Sequence, residues 1–133
     1  MMMKRTAFLG LLLLLGMIQA PSMAQTATKT AIARMWHGQV AVAKAEEYTK
    51  YLNENGISKI KTIPGNLGVQ MFRKVSGETA DFVVISYWES VDAIKKFAGE
   101  DYEKAYSMPR DPEFLINPEK NVRHFEVVIN DWK

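Results

Sequence analysis

The sequence predicts an α+β domain with the element order β-α-β-β-α-β, and a second copy of the chain packed against its sheet. Two observations lead to this prediction. Strand-like and helical segments alternate in that order between residues 30 and 129. The segment 81–88 is apolar on both faces, with Phe82, Val84 and Trp88 on one and Val83, Ile85 and Tyr87 on the other, since successive strand residues point to opposite sides of a sheet. Two helices can cover only one face, so we expect a homodimer to cover the other.

The first 24 residues have the pattern of a cleaved signal peptide. Lys4 and Arg5 precede an apolar run that ends at Ile18, and the small residues Ser22 and Ala24 suit a signal-peptidase site. The run is too short to cross a bilayer, which takes about 20 residues. We therefore predict cleavage after Ala24, a periplasmic or secreted protein, and no membrane partner once the signal is removed.

The composition of the chain narrows the functional classes to which the protein can belong. The chain has 17 basic and 15 acidic residues, and two basic residues leave with the signal, so the mature chain carries 15 of each. A neutral chain argues against a nucleic-acid partner. The absence of cysteine excludes a disulfide framework, and no Gly-x-Gly-x-x-Gly or Walker motif suggests a nucleotide site. We predict a polar, disordered leader over 25–29 and a single domain over 30–133.

The first strand and helix follow from local patterns. Residues 30–37 alternate as a strand and end at His37, where the chain is expected to turn at Gly38. The apolar residues from Ala41 to Asn55 recur at helical spacing. Gly56 suits the left-handed stop that often ends a helix.

The second half of the domain begins with a turn at Pro64-Gly65-Asn66. Ser90 is placed to cap a second helix, which Gly99 ends. The remaining predicted elements are a hairpin of strands 67–75 and 82–88, a short helical piece over 100–107, an irregular proline-containing connection over 108–121, and a last strand over 122–129. This order is the ferredoxin-like arrangement.

Three stretches resemble the antibiotic biosynthesis monooxygenase family. They are Ile-Ala-Arg-Met-Trp-His-Gly at 32–38, Pro-Gly-Asn-Leu-Gly-Val at 64–69, and Ser-Tyr-Trp-Glu-Ser-Val-Asp-Ala-Ile-Lys-Lys-Phe-Ala-Gly at 86–99. The resemblance covers roughly residues 30 to 129. It implies ferredoxin-like protomers whose sheets meet in a dimeric α/β barrel, with a pocket between each sheet and its helices. Family members include cofactor-free oxygenases of electron-rich aromatics such as anthrones and quinols, and haem-degrading enzymes.

The haem-degrading branch of this family carries a tryptophan on the second helix and an iron-ligating histidine about ten residues later. Phe97 and Tyr106 stand at the matching positions here. We therefore predict that the protein needs no cofactor and does not degrade haem. His37 and His124 are the two histidines of the chain, and no H-x-x-x-H or acidic triad accompanies them, so we predict no metal site.

Two residues are the candidates for catalysis. His37 ends the first strand, where its imidazole could act as a base at the mouth of the pocket, because histidine titrates near neutral pH. The alternative is a hydrogen bond to a loop carbonyl. Tyr106 follows the second helix, and its hydroxyl could orient or deprotonate a phenolic substrate. Its alternative is a half-buried packing role.

Six residues are the candidates for substrate binding: Trp36, Trp88, Arg34, Phe97, Tyr102 and Arg110. The tryptophans could stack on an aromatic ligand or belong to the core. Arg34 lies among apolar residues, and a buried charge needs a partner. We expect that partner to be Glu126 on the last strand. Arg110 and Asp111 either gate the pocket or pair with each other in solvent.

The sequence thus supports two functional hypotheses. The first is an exported, cofactor-independent monooxygenase that acts on a small aromatic or quinol-like ligand. The alternative is a non-catalytic exported protein of the same fold that binds a small molecule or has a stress-related role.

Overall fold

The structure is a computed structural model that describes Met3, Gly16 and residues 30–133. The predicted signal peptide and leader therefore lie, apart from those two residues, outside the described part. Within that part, no helix is long and apolar enough to cross a membrane. The elements are β1 Ile32–Ala41, α1 Ala45–Leu52, α2 Ser58–Ile60, β2 Asn66–Ser76, β3 Thr79–Trp88, α3 Val91–Ala98, α4 Asp111–Phe114 and β4 Arg123–Glu126.

The four strands form one antiparallel sheet in the order β2-β3-β1-β4. This order confirms the predicted α+β, ferredoxin-like protomer. The hairpin of β2 and β3 turns at Gly77 and Glu78, and Gly77 has a φ of 61°, a backbone conformation that residues with a Cβ seldom adopt. Ser90 caps α3 as predicted, because its hydroxyl oxygen accepts a hydrogen bond from the backbone N–H of Ala93.

One face of the sheet packs against the helices and forms the core. Along β3 every second residue is buried, from Ala80 to Trp88. Phe82 and Trp88 are inaccessible to solvent, as is Tyr48 of α1. Aromatic rings fill this layer, and the Tyr48 ring meets that of Phe82 edge-on at 5.2 Å between centroids.

The opposite face, which we call the open face, is apolar but only partly buried. It carries Val83, Ile85 and Tyr87 of β3. Phe72 and Phe125 extend it onto β2 and β4, and they remain 46% and 47% exposed. As predicted, β3 is apolar on both faces. No element within residues 30–133 covers its outer face.

The first strand and helix are longer than predicted. β1 continues through Gly38, which pairs with Phe82, and ends at Ala41, so the predicted turn at Gly38 is wrong. The first helix does not stop at Gly56, because a π-helical turn over Asn53–Ile57 joins α1 to α2. A Cβ at Gly56 would lie 3.1 Å from Leu52 Cδ1 and 3.4 Å from Met108 Sδ. Gly56 thus allows a close approach inside the helix.

The connection after α3 also differs from the prediction. The helical piece predicted over 100–107 is absent, and Lys104 instead pairs with Asn121 in an isolated β-bridge. The short helix α4 lies within the connection predicted to be irregular, and Pro112 occupies its first turn, where a missing N–H costs nothing. The last strand keeps only four of its eight predicted residues.

Candidate functional site

An inner cavity of about 50 Å³ lies between the helix-packed face of the sheet and the first helix. Its polar wall residues are Arg34, Ser86, Tyr106 and Asp111. The apolar remainder of the wall is formed by Trp36, Leu52, Gly56, Ile57, Ile60, Val84, Phe97 and Met108. An apolar wall with a few polar groups is the usual composition of a ligand site.

An outer cavity of about 430 Å³ adjoins it. Trp36, Tyr106 and Asp111 line both cavities, so these three side chains form the boundary between them. The outer wall is more polar and includes His37, Lys104, Ser107, Glu119, Lys120 and Asn121. A ligand could therefore place one end in the inner cavity and the rest in the outer one.

Arg34 is the cation of the inner cavity. It is only 3% exposed, and its Nη1 and Nη2 donate to the backbone carbonyls of Tyr102 at 3.0 Å and Lys104 at 3.1 Å. Burial lowers the pKa of Arg34 to about 10, so the side chain is charged at neutral pH. The expected pairing with Glu126 is wrong, because Glu126 lies exposed opposite Ile32.

A stack of aromatic rings leads from the core to the cavity. Phe97 stacks on Trp88 at 5.9 Å between centroids, and Tyr106 packs on Phe97 at 5.0 Å. The guanidinium carbon of Arg34 lies 5.7 Å from the centroid of the Phe97 ring. Lys59 Nζ donates to the Tyr106 hydroxyl at 2.6 Å. The stack thus supports one wall of the cavity with fixed rings beside a cation.

Asp111 is the buried carboxylate of the site, with 3% of its surface exposed. Its Oδ1 accepts from the Tyr48 hydroxyl at 3.0 Å and its Oδ2 from the Met108 backbone N–H at 2.8 Å. Burial raises the pKa of Asp111 although both hydrogen bonds oppose the rise. Sequence reasoning gave this residue a gating or solvent-exposed role. Its hydrogen-bond partner Tyr48 lies 63 residues earlier in the chain, and no local pattern signals that contact.

His37 lies on the wall of the outer cavity and does not line the inner one. Its Nε2 contacts Asp81 Oδ1 and its Nδ1 contacts Glu119 Oε1, both at 3.0 Å. Burial by itself would lower the pKa of His37, but the hydrogen bonds and charges of the two carboxylates outweigh it and raise the pKa. Both ring nitrogens are therefore occupied, and this geometry disfavours the predicted role of a base.

The other predicted site residues divide into two groups. Arg34, Trp36, Phe97 and Tyr106 come together around the inner cavity. Trp88, Tyr102 and Arg110 line neither cavity. Trp88 belongs to the core, and the ring of Tyr102 meets that of His124 edge-on. Arg110 pairs with Glu47 and Glu113 on the surface.

The inner cavity does not fit a haem held by a histidine. Neither His37 nor His124 lines it. The Tyr106 hydroxyl, at the position that the haem-degrading branch uses for its ligand, already accepts from Lys59. Among the described residues, no group of three or more histidine or acidic side chains is arranged to hold a metal ion.

Comparison with solved structures supports the fold. A haem-degrading protein of Mycobacterium tuberculosis is 22% identical and superposes with a TM-score of 0.55, covering 78% of this chain and 98% of that chain. A putative antibiotic biosynthesis monooxygenase of Bacillus cereus is 16% identical, with a TM-score of 0.57 and coverage of 78% and 99%. A protein of unknown function from Nitrosomonas europaea is 12% identical, with a TM-score of 0.59 and coverage of 79% and 96%.

At these identities the solved structures establish the fold alone. No curated protein matches the chain significantly. The family model for antibiotic biosynthesis monooxygenases matches residues 31–107, a stretch that includes the first three strands, the helices between them, and the cavity residues Arg34, Trp36, Phe97 and Tyr106. This chain belongs to the antibiotic biosynthesis monooxygenase family.

Proposed function

We propose that the protein is an exported, cofactor-independent monooxygenase of a small aromatic substrate that ionises at a phenol or an activated CH₂ group. One observation supports this proposal above all others. Arg34 is a buried cation at an apolar cavity. Its Nη1 and Nη2 donate hydrogen bonds to backbone carbonyls rather than to a carboxylate. A guanidinium has five N–H donors, so donors are left for the anion of a substrate.

The chemistry requires such a cation. Removing a proton from the substrate leaves an electron-rich anion, and a positive charge in a water-poor cavity stabilises that anion far more than it would in bulk water. For a CH₂ substrate, one oxygen atom of O₂ becomes the new carbonyl and the other leaves as water with the two hydrogens of the CH₂ group. The substrate supplies all the electrons, so the reaction needs no further reductant.

The cavity dimensions limit how a substrate can bind. An engineered cavity that accepts benzene measures about 150 Å³, whereas the inner cavity measures about 50 Å³. We infer that only the reacting edge of the ring enters the inner cavity. The rest of the substrate occupies the outer cavity, past Trp36 and Tyr106, where the Tyr106 hydroxyl orients it.

Export and dimerisation are also part of this proposal. The basic and apolar pattern of the first 24 residues supports export. The apolar open face, with Val83, Ile85 and the exposed Phe72 and Phe125, supports a homodimer. The inner cavity lies on the helix-packed side of the sheet, opposite that face, whereas His37 of the outer cavity lies on the open face beside Val83.

Oxygen uptake by the mature chain tests the proposed activity. Residues 25–133 are mixed with a panel of quinols and anthrones in the presence of a metal chelator and without added cofactor. We expect uptake by the wild type and its reduction by about 10²-fold or more in Arg34→Met, as when a group that stabilises an oxyanion is removed. Arg73→Met is the matched control, because Arg73 pairs with Glu46 on the surface.

The same panel separates the two functional hypotheses. Tight binding of a panel member that depends on Arg34, with no oxygen uptake by any variant, would favour the non-catalytic binding protein. Equal uptake by wild type and Arg34→Met would contradict the proposed site.

A further inference from the structure

The proposed reaction needs a group that accepts the substrate proton, and the polar side chains of the inner cavity differ in their ability to do so. Arg34 is a cation. Ser86 Oγ accepts from Trp88 Nε1 at 2.8 Å, and the Tyr106 hydroxyl accepts from Lys59. His37, the predicted base, lies outside this cavity with both ring nitrogens bonded. Asp111 is thus the one carboxylate among the residues described as lining the inner cavity.

The surroundings of Asp111 suit a proton acceptor. Both of its assigned partners are neutral donors, the Tyr48 hydroxyl and the Met108 N–H, and each oxygen of a carboxylate has two acceptor sites. The carboxylate therefore keeps acceptor capacity at the boundary of the two cavities. Burial raises the pKa of Asp111, which brings the carboxylate closer to the basicity that general-base catalysis requires at neutral pH.

We propose that Asp111 is the general base of this site, positioned by Tyr48 and Met108 in the cavity that it shares with the cation Arg34. This inference rests on the proposed function. Asp111 takes a proton from the phenol or CH₂ group, and the resulting anion is held by Arg34. The anion reduces O₂ and forms a C–O bond, and the peroxide oxygen takes the proton from Asp111. Asp111 then removes the second hydrogen as a proton, the O–O bond breaks to give the carbonyl, and the departing hydroxide takes that proton from Asp111 and leaves as water.

Several charged or titratable groups face Asp111 from the elements packed around it. They are Tyr48 and Tyr51 from α1, Arg34 from β1, Tyr106 and Lys104 from the connection after α3, Arg110 and Glu113 next to it in sequence, and His37, Glu119 and Lys120 across the outer cavity. Tyr48 is in direct contact. Burial and the neighbouring Asp111 raise the pKa of Tyr48, so Tyr48 stays a donor to the carboxylate.

Proton exchange without oxygen tests Asp111 directly. Anthrone is incubated anaerobically in D₂O with residues 25–133, and the loss of its CH₂ signal is followed by NMR. We expect the wild type to accelerate exchange above buffer and Asp111→Asn to lose about 10²-fold or more of that acceleration. Asparagine keeps the shape and an acceptor for Met108. Glu113→Gln, on the same short helix but paired with Arg110 at the surface, should exchange as the wild type does.

Each outcome separates this inference from the proposed function. Exchange that depends on Asp111 without any aerobic oxygen uptake supports the base and overturns the oxygenase. Oxygen uptake that persists in Asp111→Asn supports the oxygenase and overturns Asp111 as its base. The absence of exchange by the wild type also overturns Asp111 as the base. If Asp111→Asn does not fold, Tyr48→Phe provides the second test. That variant keeps the carboxylate, so a base role predicts retained exchange with an altered pH profile.

Discussion

Arg34 and Asp111 are equally buried, at 3% exposure, yet their hydrogen-bond partners differ in kind. Arg34 donates to carbonyl oxygens, whereas Asp111 accepts from a hydroxyl and an N–H. Neither arrangement neutralises the charge, although buried charges are usually paired. Each residue is therefore left to interact with an ion or a proton that enters the cavity.

Removing the Tyr48 hydroxyl should shift the pH dependence of the reaction. The hydrogen bond from Tyr48 lowers the pKa of Asp111, so in Tyr48→Phe the pKa of Asp111 rises further. Because the base acts as a carboxylate, the acid limb of the pH–rate profile moves to higher pH. The Tyr48 ring contacts with Phe82 and Phe114 remain, and we expect a loss of about 1–3 kcal/mol of stability.

The control for this variant is Tyr87→Phe, whose hydroxyl contacts Gln70 on the open face. Its pH–rate profile should match that of the wild type. An acid limb that stays in place or moves to lower pH in Tyr48→Phe would contradict the role given to Asp111.

His37 should stabilise the fold in a pH-dependent way. Its pKa is raised in the folded protein, so its contribution is fully present below the unfolded pKa of about 6.5. That contribution is lost as pH rises through the folded pKa. The side chains of His37 and its partners are partly exposed, so we expect less than about 1 kcal/mol. Urea unfolding of wild type and His37→Gln at pH 5.5 and 9 should show the larger difference at pH 5.5.

His124 provides a comparison of opposite sign. Burial, and then the charge of Arg34, lower the pKa of His124, so the folded state disfavours its protonation. The stability of the wild type relative to His124→Gln should fall, rather than rise, as pH decreases through the unfolded pKa. A pH-independent difference for both variants would contradict these assignments.

Part of the site was predictable at the residue scale. Arg34 and Trp36 are predictable as candidates because a charge and a large ring stand out on a strand, and Phe97 because the resemblance places it where the haem-degrading branch carries a tryptophan. All three line the inner cavity. Asp111 was missed because its environment is made by α1, which is distant in sequence. His37 was placed at the mouth of a pocket, but its two carboxylate partners come from β3 and from the loop before β4.

At the scale of elements, β1 contains a glycine, Gly38, that lies within the strand and not at a turn. A Cβ at Gly38 would lie 2.3 Å from Trp36 Cη2 and 2.9 Å from Leu115 Cδ2. The Trp36 indole thus lies across the bare backbone of Gly38, and this position lets Trp36 line both cavities. The glycine thus shapes the wall of both cavities through the position of Trp36.

We expect Gly38→Ala to displace the Trp36 indole and to destabilise the protein by about 1–3 kcal/mol, as overpacking does. Urea unfolding followed by tryptophan fluorescence measures both effects. Gly56→Ala is the comparison, because its Cβ would meet only the flexible ends of Leu52 and Met108 at 3.1 and 3.4 Å. Its stability should change by less than about 1 kcal/mol. Equal effects of the two substitutions would show that the Trp36 contact is unimportant.

Local signals predicted the regular elements well and the connections poorly. The hairpin of β2 and β3 and the capped helix α3 follow from turn residues and periodicity. The segment 100–121 follows instead from tertiary contacts. Lys104 pairs with Asn121, the backbone of 102 and 104 binds Arg34, and Asp111 anchors α4 to Tyr48.

At the scale of the whole molecule, the open face predicts a homodimer. In residues 25–133, Val83→Glu would place a charge between His37 and Phe72 on that face and should dissociate the dimer or unfold it. Val75→Glu is the matched control, because Val75 is 53% exposed and points to the other side of the sheet. Sedimentation at micromolar concentration measures the assembly. A wild-type monomer, or dissociation by both variants, would contradict this interface.

The protein should not degrade haem, although a structural neighbour is a haem-degrading protein. Iron needs an axial donor within the pocket, and no histidine lines the inner cavity. A haemin titration with an electron donor should leave the Soret band in place and release no iron. Stoichiometric loss of the band with iron release would contradict the prediction.

The central claim is that the inner cavity binds the anion of a small aromatic beside Arg34. A crystal structure of residues 25–133 with 4-nitrophenol, which ionises readily and is inert to oxygen, tests it most directly. We expect the phenolate oxygen at about 3 Å from a guanidinium nitrogen of Arg34, the Asp111 carboxylate facing the same oxygen, and the nitro end in the outer cavity. A ligand bound on the open face, or in the outer cavity without contact to Arg34, would contradict the claim.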